Sequence, residues 1–234
     1  MSTLWICQGE LRKSFGIRIW AKTPLRENAN ELTTTSRFGN SYDIDHKPDG
    51  IIYYVDKVML GVKHWGLSKF HVLGHHSGAS IATELAAVHG DQALSLAIVG
   101  PALLTPEEQI AHLTEEGLTE EVVPFNKPVA DGSHLLKTWD MLLTNGEWDP
   151  DVLNGQTLDA LRAWRGRLQI YRNVFSQPAL DVLGKVKCPV LGMCAPDDSL
   201  FPKFPRVKEI VSFEGKSWRE RVLTNHSYPI LRLL

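Results

Sequence analysis

The stretch Lys69–His89, KFHVLGHHSGASIATELAAVH, changes period in its middle. Phe70, His71, Val72 and Leu73 read as a short buried strand, and Gly74 bounds it. From Ser77 onward the spacing is helical. Ile81, Leu85 and Val88 share one stripe, while Ala79, Ala82, Ala86 and Ala87 keep the neighbouring faces small. Between strand and helix lies Gly74-His75-His76-Ser77-Gly78. A sharp strand-to-helix turn has a strained central residue, and flanking glycines leave room for it.

Working outward, Ile51–Trp65 reads as a helix whose apolar face is Tyr54, Val55, Val58, Met59 and Val62. Gly66-Leu67 ends it. Downstream, Leu94–Val99 is nearly all apolar, as expected of a parallel strand buried on both faces, and Gly100-Pro101 stops it. Strand, helix, strand at this spacing demands a right-handed crossover and a parallel sheet. Residues 102–182 show no strand signal. Thr105-Pro106-Glu107-Glu108 opens a helix with a cap, a proline at the first position and acids in the first turn. Trp139, Leu142 and Leu143 make one stripe; Leu158, Leu161, Trp164, Leu168 and Tyr171 make another. Val186–Cys194 reads as the next buried strand, followed by Ala195-Pro196-Asp197-Asp198, and both acids suit capping of the turn before Phe201. Ile210–Phe213 reads as the last strand, and Arg219–Thr224 leads into Asn225-His226-Ser227. At the other end, Leu4–Cys7 and Ile17–Trp20 are short apolar runs of strand type, while Lys22–Thr35 reads as loop or weak helix.

Composition bounds the answer. The chain has 234 residues, 43% apolar and 22% charged, enough for one α/β domain with a sizeable core. A net charge of −2 offers no basic field for nucleic acid or an anionic membrane. The three cysteines, Cys7, Cys188 and Cys194, have neither paired number nor zinc spacing, so reduced thiols in the cytoplasm are expected. No apolar run approaches the ~20 residues of a membrane span, and the start reaches charge too early for a signal peptide. No metal is expected either: His75 and His76 are adjacent, are expected to point apart, and have no acidic partners at ligand spacing. No other cofactor is suggested.

The motif and its context resemble the α/β-hydrolase superfamily, whose pattern is Gly-x-nucleophile-x-Gly. Here Gly74 and Gly78 are the glycines, His76 takes the nucleophile's place, and Ser77 stands one position late. Ser36-Arg37-Phe38-Gly39-Asn40-Ser41 is similar to the superfamily's R-G-x-G-x-S loop. The resemblance implies a mostly parallel sheet flanked by helices, with residues 1–101 and 183–234 as the core and residues 102–182 as a helical lid. It implies Asp198 as the catalytic acid and His226 as the catalytic histidine. It also implies an apolar substrate pocket lined by Trp139, Trp164 and Phe175. The family's His-Gly pair, which completes an oxyanion hole, has only Gln8-Gly9 as a weak counterpart. The chain is also short at both ends against the family pattern; only residues 227–234 follow His226.

Three functions follow. Gly74-His75-His76-Ser77-Gly78-Ala79 with GPALLTPEE (100–108) is similar to α/β-hydrolase-like proteins of fungal secondary-metabolite clusters. That implies a tailoring enzyme for a small or medium apolar carbonyl or ester metabolite. The second is a lyase, isomerase or cyclase using His76 and His226 as acid and base, a role for which the imidazole group is suited in general. The third is a non-catalytic member that binds a ligand or partner. Ser77 stands as nucleophile if the turn shifts by one, and otherwise as a backbone donor to an oxyanion. Core strands in residues 1–35 with N–H groups aimed at His76 favour an enzyme.

Overall fold

The computed structural model describes residues 2–8, 17–22, 31–34, 48–113, 127–144, 149–196, 198–213 and 218–222. Among the described residues, seven strands form one sheet in the order β3-β2-β1-β4-β5-β6-β7. They are β1 (Ser2–Gln8), β2 (Ile17–Lys22), β3 (Glu31–Thr34), β4 (Phe70–His75), β5 (Ala93–Val99), β6 (Val190–Cys194) and β7 (Trp218–Val222). β1, β4, β5, β6 and β7 run parallel, and β2 is antiparallel to both β1 and β3. The two apolar runs near the start are therefore strands, and β1 pairs directly with the strand that leads into the glycine-flanked turn.

The helices are α1 (Ile52–His64), α2 (Ser77–Val88), α3 (Pro106–Leu113), α4 (Ser133–Thr144), α5 (Pro150–Arg162), α6 (Trp164–Ser176), α7 (Ala179–Lys185) and α8 (Arg206–Phe213). α2 lies at the centre, packed on β1, β4 and β5 and against α1, α6 and α7. Its Ile81, Ala82, Leu85 and Ala86 are fully buried with Phe70, Val72, Leu96 and Ile98 of the sheet. Each Ile or Leu so placed stabilises the fold by about 1.5–3 kcal/mol. Alternate strand residues Leu73, Val99 and Met193 form a smaller cluster with half-buried Ala97, Leu191 and Ala195, since strand side chains alternate between the two faces.

Several expectations are corrected. Lys22–Thr35 is not wholly loop: Glu31–Thr34 pairs with β2, from Arg18↔Thr34 to Ala21↔Glu31. The strand read at Val186 begins only at Val190, because Pro189 has no N–H to donate to a ladder. Ile210–Phe213 is the end of helix α8, not a strand. Val207 and Val211, four residues apart, are fully buried on its inner face, so a helical period was hidden in a short apolar run. Val88, placed on the buried stripe of α2, is 52% exposed at the helix end.

Among the described residues, helices α3 to α7 lie between β5 and β6. α3 starts with a reciprocal capping box: Glu108 N–H donates to Thr105 Oγ1 at 3.3 Å, and Thr105 N–H donates to Glu108 Oε2 at 2.8 Å. Asp149 caps α5 by accepting from the Asp151 and Val152 amides. Leu143 and Leu158 face solvent, whereas Ile170 and Val174 of α6 join the main core. Gln177, 5% exposed, ties this segment to α2: its Nε2 donates to Ser80 O at 3.2 Å and Glu84 Oε2 at 2.7 Å, and its own carbonyl accepts from Gln109 Nε2 of α3.

Candidate active site

The turn between β4 and α2 has the strained geometry its glycines anticipate. His76 has φ 49° and ψ −118°, and it alone among the described non-glycine residues has positive φ. Such a conformation is costly for an L-residue and persists only where the surroundings enforce it. They do so here. His76 N–H donates to Val99 O at 2.9 Å, while Ala79 N–H returns to His76 O at 2.8 Å. On β4, a Cβ at Gly74 would collide with the backbone carbonyl of Gly78 and lie 2.7 Å from Ala79 Cα. Glycine at 74 is what allows α2 to start directly against the strand.

The strained position therefore falls on His76, and Ser77 is the first residue of α2, 3% exposed. His76 Nε2 lies 2.9 Å from Asp198 Oδ2. Asp198 follows β6 and also accepts from Leu200 N–H through Oδ1 at 2.8 Å. Asp198 thus caps the turn before Phe201, and its second carboxylate oxygen meets the turn histidine, His76. Burial works against its charge, but the hydrogen bond and positive field of His76, the Leu200 amide and His75 together hold its carboxyl below the usual range. An ionised carboxylate only accepts, so His76 Nε2–H donates to Asp198 Oδ2.

His75 and His76 do not point apart. Their rings stack with centroids 4.1 Å apart at 25°. Adjacent side chains converge here because the positive φ of His76 breaks the strand's alternation. On the other side, β1 brings Cys7 opposite His75 in the ladder. The expected strand beside the turn is present in backbone. Gly9 lies outside the described residues, as do Ser36–Ser41, Asp197 and His226.

The expected pocket aromatics have separate settings. Trp139 packs against a cluster of Leu142, Leu153 and Ala160. Trp164 lies under the Arg165 guanidinium, 4.8 Å from the ring centroid. Phe175 stacks on His112 of α3 at 4.7 Å and packs against the main core. Among the described residues no group of three or more His, Cys, Asp or Glu is placed to hold a metal ion, and no helix is long and apolar enough to cross a membrane.

A parallel sheet with a strained strand-to-helix turn at the carboxyl end of a central strand, and an acid beyond a later strand, is the α/β-hydrolase fold. Solved structures of that fold are similar to this chain over most of its length. Epoxide hydrolase A from Mycobacterium thermoresistibile is 17% identical, with 86% of this chain covering 78% of that one at a TM-score of 0.63. A membrane phospholipase A described as a bacterial virulence factor is 20% identical, with 86% of this chain covered at a TM-score of 0.61. The chain spans 64% of that phospholipase's length. The enol-lactonase from Burkholderia xenovorans LB400 is 14% identical over 99% of this chain and 87% of its own, at a TM-score of 0.59. No protein-family model matches the chain, and no curated protein sequence matches it.

Proposed function

We propose that the chain is an enzyme that hydrolyses a small or medium apolar ester or lactone, with His76 as general base in place of a serine nucleophile. The observation that carries this is the 2.9 Å bond from His76, on the strained turn, to Asp198. The names of the similar structures, a lactonase, a phospholipase and an epoxide hydrolase, are in keeping with hydrolysis. In the step, water attacks the carbonyl carbon and its proton passes to His76 Nδ1. The tetrahedral oxyanion collapses, the acyl C–O bond breaks, and the imidazolium returns the proton to the leaving alkoxide. The carboxylate of Asp198 orients the ring and offsets its transient charge. The backbone N–H of Ser77, at the start of α2, serves the oxyanion. His226 supplies a second imidazole by its resemblance to the superfamily's histidine.

α3 to α6 act as a lid, residues 102–182, over the core formed by 1–101 and 183–234. The GHHSGA turn and GPALLTPEE support a tailoring step on a secondary metabolite, and the odd number of cysteines without zinc spacing supports the cytoplasm. A second reading, proton transfer at a carbon acid without hydrolysis, is favoured by the burial of Ser77, which leaves the turn without an accessible serine.

One experiment separates these. The purified protein is incubated in deuterated water with a panel of small esters, lactones and ketones, and products are followed by mass spectrometry. Acid and alcohol formation that disappears in His76→Ala supports hydrolysis. Deuterium entering the ketones without hydrolysis moves the assignment to the second reading. Neither, from a folded protein, leaves a binding role.

A further inference from the structure

Gly100 ends β5, and its sequence context, before Pro101, marks only the stop of a strand. In the fold it stands between the two members of the dyad. A Cβ at this position would lie 2.6 Å from Asp198 Oδ2, 2.7 Å from His76 Cδ2 and 2.8 Å from His76 Nε2. All three are closer than side-chain carbons tolerate, and two are the atoms that make the His76–Asp198 bond. Nor can the backbone draw back. Gly100 N–H donates to Met193 O of β6 at 2.9 Å, and the preceding carbonyl, Val99 O, accepts from His76 N–H at 2.9 Å. Pro101 follows with a fixed φ, and its carbonyl accepts from Leu103 N–H at 3.0 Å. The chain at Gly100 is thus bonded to the elbow on one side and to the acid's strand on the other. Its φ of +52° adds a second reason for glycine.

We propose that Gly100 is a positioning residue: its missing side chain is the space in which His76 and Asp198 meet, and any larger residue separates them. This rests on the dyad reading of the site. It also explains why the two groups come together without a further side chain between them. The volume one methyl group needs is the volume the hydrogen bond occupies.

The test compares Gly100→Ala with Gly66→Ala. Gly66 has a similar φ, +65°, but a Cβ there meets nothing within 4 Å, so it carries the backbone strain without the crowding. The titration of the Asp198 carboxyl is followed by NMR in each folded variant. In Gly100→Ala its midpoint is expected to rise, since burial remains and the His76 bond is lost. In Gly66→Ala it is expected to stay at the wild-type value. Ester turnover is expected to fall about 10²-fold in Gly100→Ala only, the usual cost of a misplaced catalytic group. An unmoved Asp198 midpoint in folded Gly100→Ala overturns the proposal. A moved midpoint in a protein that turns over no substrate upholds it and removes the hydrolytic reading instead. Where Gly100→Ala does not fold, the triple variant Gly100→Ala/His76→Ala/Asp198→Ala decides. Removing both side chains that the new Cβ meets is expected to restore folding, and failure to restore it, with Gly66→Ala folded, overturns the proposal.

Discussion

Asp198→Asn changes one oxygen to an amide and leaves the loop's volume intact, so its effect can be worked from the geometry. The asparagine carbonyl keeps the bond from Leu200 N–H, which Asp198 Oδ1 accepts at 2.8 Å. That choice turns the NH2 group toward His76, where Oδ2 sat 2.9 Å from Nε2. Two donors cannot share that contact, so His76 must present Nε2 as acceptor and carry its proton on Nδ1. The nitrogen that took the proton from water is then occupied. A positioned general base contributes roughly 10²–10⁴ in rate, equivalent to about 3–5 kcal/mol of barrier. The loss should appear in kcat, because the substrate's binding contacts are unchanged. Stability should fall by about 1 kcal/mol, the difference between a charge-assisted and a neutral hydrogen bond. The His76 side chain is 35% exposed, which keeps that figure low. The pH dependence has a definite sign. Asp198's folded pKa is depressed, so its contribution is present above the ordinary carboxylate pKa and is lost as pH falls through the lower, folded value. The gap between wild type and variant should therefore be constant at neutral pH and close in acid. Ester turnover from pH 5 to 9, with urea melts at neutral and acid pH, measures both. A folded Asp198→Asn protein with wild-type kcat refutes the dyad.

Other outcomes can be stated briefly. If His226 acts as its resemblance to the superfamily's histidine implies, His226→Ala abolishes ester turnover. Ser77→Ala should keep a measurable fraction; a fluorophosphonate probe with peptide mapping should leave Ser77 unlabelled, and a dead, folded Ser77→Ala moves the nucleophile to that serine. Glu108→Gln turns one acceptor oxygen into an NH2 group and removes the charge, so it breaks one of the paired bonds to Arg206, 2.6 and 3.1 Å, that draw the Glu108 carboxyl down to about 2. Because that pKa is depressed, the pair's contribution is present above 4.5 and lost toward 2; with the Glu108 side chain about a third exposed, solvent screening leaves about 1 kcal/mol at neutral pH, read as a difference in urea melts that shrinks in acid. Gln177→Ala removes the bonds to Ser80 O and Glu84 and should destabilise the fold by about 2 kcal/mol, seen as a lower urea midpoint. Gly74→Ala, which sets a methyl group against the backbone of Gly78 and Ala79, should yield no folded protein by circular dichroism, since its neighbours are backbone and cannot swing aside.

Much of this was legible from local pattern. The period change between Leu73 and Ser77 located β4, the turn and α2, because strand and helix faces repeat at different intervals. The two glycines anticipated the strain on His76. Thr105-Pro106-Glu107-Glu108 announced the start of α3, because a cap satisfies backbone groups within a few residues of itself. Where the pattern was short it misled. Ile210–Phe213 carries too few residues to separate a strand from a helix's last turn, and only burial of Val207 and Val211 separates them.

Sequence alone thus determined the fold class, the turn and the residue types at its centre, since these depend on periodicity and on glycine's conformational freedom. It could not say that His76 bonds Asp198, 122 positions away, or that His75 stacks on its neighbour. Nor could it show that Gly100 clears the space where that bond forms. Those facts depend on the register of three parallel strands, β4, β5 and β6, whose carboxyl ends are aligned by ladder bonds between segments far apart in the chain. Hydrogen bonds across a sheet carry no local signature, so the chemistry of the site was decided by tertiary structure.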